Sequence, residues 1–328
     1  VVNETTLAAV KRSPDERRIA RRLKRLSEVF ALPQLRSERI AADEVVAYYS
    51  QSHDAYRKYH SSEGAVHMAL NEDGRFDASG YRGQVRRLLQ RWAAAESGAP
   101  LAVLELGFGQ GYNLELLCQQ RPHWRVEGLD LTPAHVALAT TRLAAQAHLH
   151  PAQPAPLRLH HGDMHAMPLP AAHFDHVFAV EVMCHARDTH QAMAEAARVL
   201  KPGGTLTLFD GYVTTPPPSA QAALACELVA RGMAIEQLQT PAQMHEAAAA
   251  AGLQPLYETM LDAQVMPTLR RLERLTSPLL WWPWFARRAL ARRALWRGRN
   301  LMAGSLMRPA VALGWLGYRE LCWRKPAG

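Results

Sequence analysis

The stretch VLELGFGQGYN, residues 103–113, sets Gly107, Gly109 and Gly111 at alternate positions directly after an apolar run. A strand end stripped of side chains can admit a dinucleotide, a nucleoside triphosphate or S-adenosylmethionine against main chain. The spacing separates them. A dinucleotide loop needs G-x-G-x-x-G, whose third glycine lets helix and strand pack closely. Here the pattern is G-x-G-x-G, followed by Tyr112. A P-loop ends in G-K-[ST], and Tyr112 and Asn113 supply neither lysine nor hydroxyl. Glu105, two residues ahead of Gly107, would stand close to the ligand. A carboxylate there suits an ammonium group and repels a pyrophosphate.

Outward from this loop, short apolar runs alternate with longer helical stretches. LAVLELG reads as a buried strand and YNLELLCQQ as a helix; WRVEGLDL is the next strand, and a helix over 133–147 opens at Thr132-Pro133. After the linker HPAQPAP come the strands LRLHHGD and FDHVFAVEVM, a helix over 189–200 that stops at KPGG, and the strand TLTLFDGYV. This alternation means βαβ units in a parallel sheet, with ligands bound beyond the carboxyl ends of the strands. Residues 1–97 read as a helical cap. A helix start stands at Ser13-Pro14-Asp15-Glu16, and further helices cover 38–49 and 81–95. Residues 98–215 form the core. Residues 216–328 read as a helical, basic, Trp-rich region with a restart at Thr240-Pro241.

ELGFGQG resembles the first motif of class I S-adenosylmethionine-dependent methyltransferases, E/D-x-G-x-G-x-G at the end of the first strand. VEGLDLT is similar to that family's second-strand motif, HGDMHAMPLP to its adenine segment, and RVLKPGGTLTLFD to the turn before its fifth strand. The four segments agree in order and spacing across residues 101–213. The resemblance implies an α/β fold: a Rossmann-like, seven-stranded, mostly parallel sheet with an N-terminal helical cap and a helical C-terminal extension. It also implies S-adenosyl-L-methionine as cofactor, held by Glu105, Gly107, Gly109, Gly111, Asn113, Asp130, Leu131, Asp163, Met164 and Glu181. Asp130 would accept bonds from both ribose hydroxyls; Asp163 would face the adenine amine, with Met164 beside the ring.

The segment YY...DAYRKYHSSEGAVHMAL resembles the N-terminal part of sterol and prenyl-diphosphate C-methyltransferases, and AVEVMCHARD resembles their E-A-x-C-H-A signature through Glu181, Cys184, His185 and Ala186. It departs from that pattern at Val182, and the W-G-x-S element before His67 is missing. The implied reaction is methylation of an alkene carbon in a lipophilic isoprenoid, a prenyl diphosphate such as farnesyl or geranyl diphosphate or a sterol-like molecule. The π bond attacks the sulfonium methyl, leaving a tertiary cation that can cyclise. Aromatic faces at Tyr48, Tyr49, Tyr56 and Tyr59 would steady that cation, each worth about 0.5 to 2 kcal/mol. Glu181 would stabilise it electrostatically, and His185 or Glu181 would remove the final proton. Arg57 with Lys58, and Arg287 with Arg288, are candidate grips for a diphosphate, which would carry its own magnesium ion. O- or N-methylation of a lipid, quinol or other natural product is the alternative, with His185 or Glu181 as general base. A membrane-surface binding module with a degenerate cofactor fold is the non-enzymatic one.

The 328 residues suffice for a sizeable core, and 48% apolar with 21% charged residues is ordinary globular composition. The formal charge of +8 concentrates in residues 11–25 and 287–299. Such terminal basic segments can serve RNA, an anionic membrane surface or a phosphorylated substrate, or reflect solubility alone, and the absence of a base-flipping signature or appended RNA-binding module argues against nucleic acid. Trp281, Trp282 and Trp284 suit a water–lipid boundary, although the arginines of 287–299 spread around a helix instead of forming one face. Peripheral membrane contact and a homodimer are compatible with this pattern. The cysteines Cys118, Cys184, Cys226 and Cys322 show neither disulfide nor zinc spacing, so a reducing cytoplasm fits. His160, His161, His165, His173 and His176 straddle two strands and a loop and cannot share one face; no protein-ligated metal is expected.

Overall fold

The computed structural model describes residues 12–93, 100–149, 157–290 and 295–327; the linker HPAQPAP and the Arg292-Arg293 pair lie outside them. The chain opens with α1 (Pro14–Val29), where Ser13 and Glu16 form a reciprocal capping box that satisfies two otherwise orphaned backbone donors. Its buried stripe, Ile19, Leu23, Leu26 and Val29, has helical spacing. Then come α2 (Leu32–Ser37), α3 (Ala42–Ala55), a π-helical turn over Tyr56–His60, and α4 (Gly83–Trp92). The expected helix over 38–49 thus begins later, with Asp43 and Glu44 at the positive end of its dipole.

The alternating core follows as β1 (Ala102–Leu106), α5 (Tyr112–Gln120), β2 (Arg125–Asp130), α6 (Pro133–Leu149), β3 (Leu157–His161), β4 (Phe174–Val180), α7 (Thr189–Val199) and β5 (Leu200–Val213). Beyond it lie α8 (Ala220–Gly232), α9 (Pro241–Ala250), β6 (Gln254–Met260), α10 (Asp262–Thr276), α11 (Pro283–Leu290), α12 (Leu295–Ala312) and β7 (Leu316–Arg324). All seven strands form one sheet of order β3-β2-β1-β4-β5-β7-β6. Pairs among β1 to β5 are parallel, and β7 runs antiparallel between β5 and β6.

Residues 216–328 are therefore not helical throughout, as their composition had suggested: they supply β6 and β7. The segment that begins LGYRELCW is buried along nearly its whole length because both faces of β7 are covered. Strand order reverses between β1 and β4, and this switch point opens the crevice in which α/β sheets bind ligands. The cap over it is composite. α1 packs on α11 and α12, and α3 on α12, so elements from both ends of the chain close the same side.

Candidate functional site

Gly107, Gly109 and Gly111 all take positive φ, 65°, 55° and 78°, a region closed to most side chains. At Gly107 the requirement is doubled, since a Cβ would collide with the Val182 side chain. The loop is pinned from β2. Asp130 accepts the Gly109 N–H on Oδ2 and the Thr132 N–H on Oδ1, each at 2.8 Å. Each oxygen thus has one backbone partner fixing the carboxylate and a further lone pair for a ligand diol.

A cavity of about 250 Å³ lies against this loop. Of the ten residues expected at the cofactor, Gly107, Gly109, Asp130, Leu131, Asp163, Met164 and Glu181 line it. Glu105, Gly111 and Asn113 stand behind it. Gly111 lets the loop approach Ala139 on α6. Asn113 lies between Glu105, to which its amide donates at 2.8 Å, and His67 at 3.2 Å. The second oxygen of Glu105 is buried without a hydrogen-bond partner, and burial pushes this carboxyl up to about 8. Asp163 is shared with neighbours that the sequence did not flag: Arg187 donates to it at 2.8 Å and His165 at 2.5 Å. His135, 3.3 Å from Asp130, also lines the cavity unanticipated; no motif spacing singles it out.

A second cavity of about 90 Å³ adjoins the first and shares Tyr49, Val66, Glu181, Cys184 and His185 with it. Tyr48, Tyr49 and Tyr56 come together here from α3 and the π turn. The Tyr48 and Tyr56 hydroxyls are 2.6 Å apart, and the rings of Tyr48 and Tyr49 meet edge to face at 4.9 Å. Much of the remaining wall is apolar, including Leu238, Val265, Leu269, Met307 and Val311, and Asp210, Tyr212 and Tyr318 complete it. Among the described residues lining this cavity there is no arginine or lysine.

Glu181 stands between the two cavities with a positive φ of 56°, rare for a non-glycine residue and held by its N–H donating to Phe209 O at 2.7 Å. Its carboxyl accepts from the Met68 N–H at 2.6 Å and the Tyr318 hydroxyl at 2.9 Å. Burial raises it to about 8 despite these donors. His185 donates from Nδ1 to Ala234 O (3.2 Å), which leaves Nε2 to accept from the Tyr49 hydroxyl (3.0 Å). Burial lowers its imidazole to about 4, so it is neutral at physiological pH. Tyr318 and Met68 were missed from sequence: one arrives from the last strand, and the other contributes through its main chain.

The remaining candidates lie elsewhere. The π turn directs Tyr56 and His60 inward and leaves Arg57, Lys58 and Tyr59 exposed, with Lys58 over the Tyr59 ring. Arg287 and Arg288 are exposed on α11 and line neither cavity. The histidine-rich stretch is divided among separate partners. His160 and His173 face Glu127, His161 reaches Leu131 O, and His176 pairs with Thr205. Among the described residues no three His, Cys, Asp or Glu side chains converge as a metal site.

The site's residues fit a sulfonium nucleoside: a cradle without Cβ atoms, a fixed carboxylate at the end of β2, and an orphaned carboxyl oxygen behind the loop. Comparison with known proteins agrees. Residues 104–208 match the family model described as a methyltransferase domain. An uncharacterised methyltransferase, YdaC of Bacillus subtilis, is 29% identical over 118 residues, 35% of this chain and 60% of that protein. The 24-methylenesterol C-methyltransferase 2 of Oryza sativa subsp. japonica is 30% identical over 139 residues, 42% of this chain and 34% of its own. The matches thus span under two thirds of either relative. Among solved structures, the [4+2]-cyclase SpnF superposes with TM-score 0.70 at 17% identity, covering 88% of this chain and 98% of its own. A geranyl diphosphate methyltransferase does so with TM-score 0.65 at 15%, covering 87% and 100%. In residues 104–208 the chain carries a methyltransferase domain, on the seven-stranded fold of the S-adenosylmethionine-dependent methyltransferases.

Proposed function

We propose that the protein methylates an alkene carbon of a neutral, lipophilic, isoprenoid-like acceptor, using S-adenosylmethionine. The observation that carries this reading is the second cavity: tyrosine rings and aliphatic side chains around two buried carboxyls, Glu181 and Asp210, with no arginine or lysine among its described lining residues. A diphosphate deep in that cavity would lack the arginine or lysine partners that phosphate recognition uses. A sterol-like alkene needs none, so the neutral acceptor is preferred over a prenyl diphosphate. The sterol C-methyltransferase among the relatives supports the same direction.

The cofactor would supply an electrophilic methyl where the cavities meet. Asp130 would hold its ribose, Met164 and Asp163 its adenine, and the loop 107–111 its amino-acid end. Tyr49, Val66 and Glu181, common to both cavities, would hold the acceptor's double bond in line with the methyl. Such alignment is worth roughly 7 to 11 kcal/mol in well-oriented systems. Formation of the carbon–carbon bond would break the methyl–sulfur bond, with the neutral thioether as leaving group, and would place positive charge on the acceptor's neighbouring carbon. Tyr48, Tyr49 and Tyr56 would face that charge with their rings, and ionised Glu181 would stabilise it. Proton loss from the adjacent carbon to Glu181 or to Nε2 of His185 would then restore an alkene.

A second reading rests on the Tyr49–His185 hydrogen bond: an acceptor hydroxyl replacing that of Tyr49 would be deprotonated by Nε2 and O-methylated. Incubation with methyl-labelled cofactor and separate pools of sterol-like alkenes, prenyl diphosphates and phenols distinguishes the readings. Label in a carbon-methylated neutral alkene is expected. Transfer confined to a diphosphate or to a hydroxyl would overturn the proposal.

A further inference from the structure

Ten large hydrophobic side chains are notably exposed among the described residues, and six of them fall in one eleven-residue stretch: Leu275, Leu279, Trp281, Trp282, Trp284 and Phe285. The aromatic four are 66%, 64%, 75% and 56% exposed in chain order. They sit on a seated segment. Leu280 and Ala286 are buried in the core beside them, and Ser277 accepts a hydrogen bond from Arg22 at 3.0 Å. A patch this concentrated marks an interaction surface instead of scattered surface apolarity.

Its charge surroundings identify the partner. Within and beside the patch, Arg274, Arg287 and Arg288 are exposed, and residues 274–290 contain no aspartate or glutamate. α1 packs against α11 and against the turn Ser277–Trp281, bringing exposed Arg17, Arg21, Lys24 and Arg25 to the same region. The basic side of α1 and the exposed Arg287 and Arg288 of α11, more than 250 residues apart in sequence, therefore share one side of the fold with the tryptophans. Tryptophan rings favour the headgroup level of a bilayer, and arginines beside them favour anionic lipid. The patch also tips the α10–α12 hairpin, whose Val265, Leu269, Met307 and Val311 wall the acceptor cavity.

We infer that the face formed by Leu275, Leu279, Trp281, Trp282, Trp284 and Phe285, with Arg287, Arg288 and the basic side of α1, docks the protein on the surface of an anionic lipid bilayer. No helix of the described residues is long and apolar enough to cross a membrane, so the contact is superficial: rings at the headgroups and guanidinium groups on phosphates. The face would collect a lipophilic acceptor from the phase in which it dissolves, which rests on the acceptor reading above. The docking itself does not.

The test uses the full chain without cofactor or acceptor, so its outcome is independent of the methyltransferase reading. Co-flotation is measured with phosphatidylcholine vesicles with and without phosphatidylglycerol. Binding to the anionic vesicles is expected, with a blue shift of tryptophan emission and weakening by salt. The Trp281→Ser, Trp282→Ser, Trp284→Ser triple variant should bind at least tenfold more weakly with an unchanged melting temperature. Arg287→Glu with Arg288→Glu should lose about fivefold per charge removed. The inference is overturned if the wild type ignores anionic vesicles or the triple variant binds them equally well. It is also overturned if the tryptophans prove to be buried between two copies, seen as a dimer that the triple variant dissociates, or if the face binds RNA and not vesicles.

Discussion

Asp130 has one structural duty and one proposed ligand duty, carried by the same two oxygens. Its oxygens fix the glycine loop through Gly109 and Thr132, and in the proposed function they would also accept from the ribose diol. Asp130→Ala should weaken S-adenosylhomocysteine binding by at least a hundredfold, because hydrogen bonds to a charged group contribute about 1.5 to 3 kcal/mol each. The melting temperature of the empty protein should fall as well, because the Gly109 and Thr132 N–H groups lose their acceptor. Calorimetric affinity equal to wild type would remove the ribose from this position. Glu181 allows a sharper test. An acid held up to about 8 is protonated at neutral pH in the empty site and ionises as pH rises. Only the ionised form attracts the sulfonium, so the preference for S-adenosylmethionine over the uncharged thioether S-adenosylhomocysteine should grow from pH 6 towards 8 and level off above. Glu181→Gln should flatten that ratio, whereas Glu105, in its proposed place near the common ammonium group, would affect both ligands alike. A wild-type ratio constant from pH 6 to 9 would place Glu181 away from the sulfonium.

At the scale of elements, β7 carries the residue most hidden from sequence. Tyr318 enters beside β5, and its hydroxyl donates to Glu181 from 137 positions away. That bond favours the ionised carboxyl. Tyr318→Phe should therefore move the alkaline inflection of turnover to higher pH and lower kcat at neutral pH, leaving S-adenosylhomocysteine affinity intact. An unshifted pH profile would leave Tyr318 with packing alone. The contrast with the glycine loop explains what could be read in advance. β1, β2 and β4 carry short apolar runs ending in Gly107, Asp130 and Glu181, so local pattern and function coincide there. β6 and β7 follow long helical insertions, and β7 reads as a closing segment because its polar residues, Arg319 and Glu320, find partners only across space. Arg319 pairs with Asp262, and Glu320 with Arg87. The Trp-rich stretch was visible as composition, but its union with α1 is tertiary.

At the scale of the whole molecule, the cap is held together by charge as well as by its apolar core. Glu273 of α10 receives Arg22 of α1 at 2.6 Å and Arg308 of α12 at 2.9 Å, and Arg308 reaches on to Asp15 at 2.7 Å. The Arg22, Glu273 and Arg308 side chains are only 12–15% exposed, so water does little to replace a lost partner. Glu273→Ala would leave Arg308 with Asp15 and Arg22 with only the neutral oxygens of Ser277 and Ser305, two mostly buried guanidinium groups short of a counter-charge. Removing one member of such a network costs about 3 to 5 kcal/mol, and the residual exposure here points to the lower figure. Denaturant unfolding should register that loss. The glycine loop and Asp130 belong to the sheet and not to this junction, so cofactor affinity should persist, while acceptor turnover falls as the α10–α12 wall loosens against α1. Glu273→Gln keeps the acceptor oxygen and the shape but not the charge, and should fall between the two. If Glu273→Ala costs under 1 kcal/mol and α1 stays protected from proteolysis, the junction rests on Ile19, Leu23 and Leu26 packing against the C-terminal helices alone. The two ends of the chain would then be joined by hydrophobic contact, with the ion network incidental.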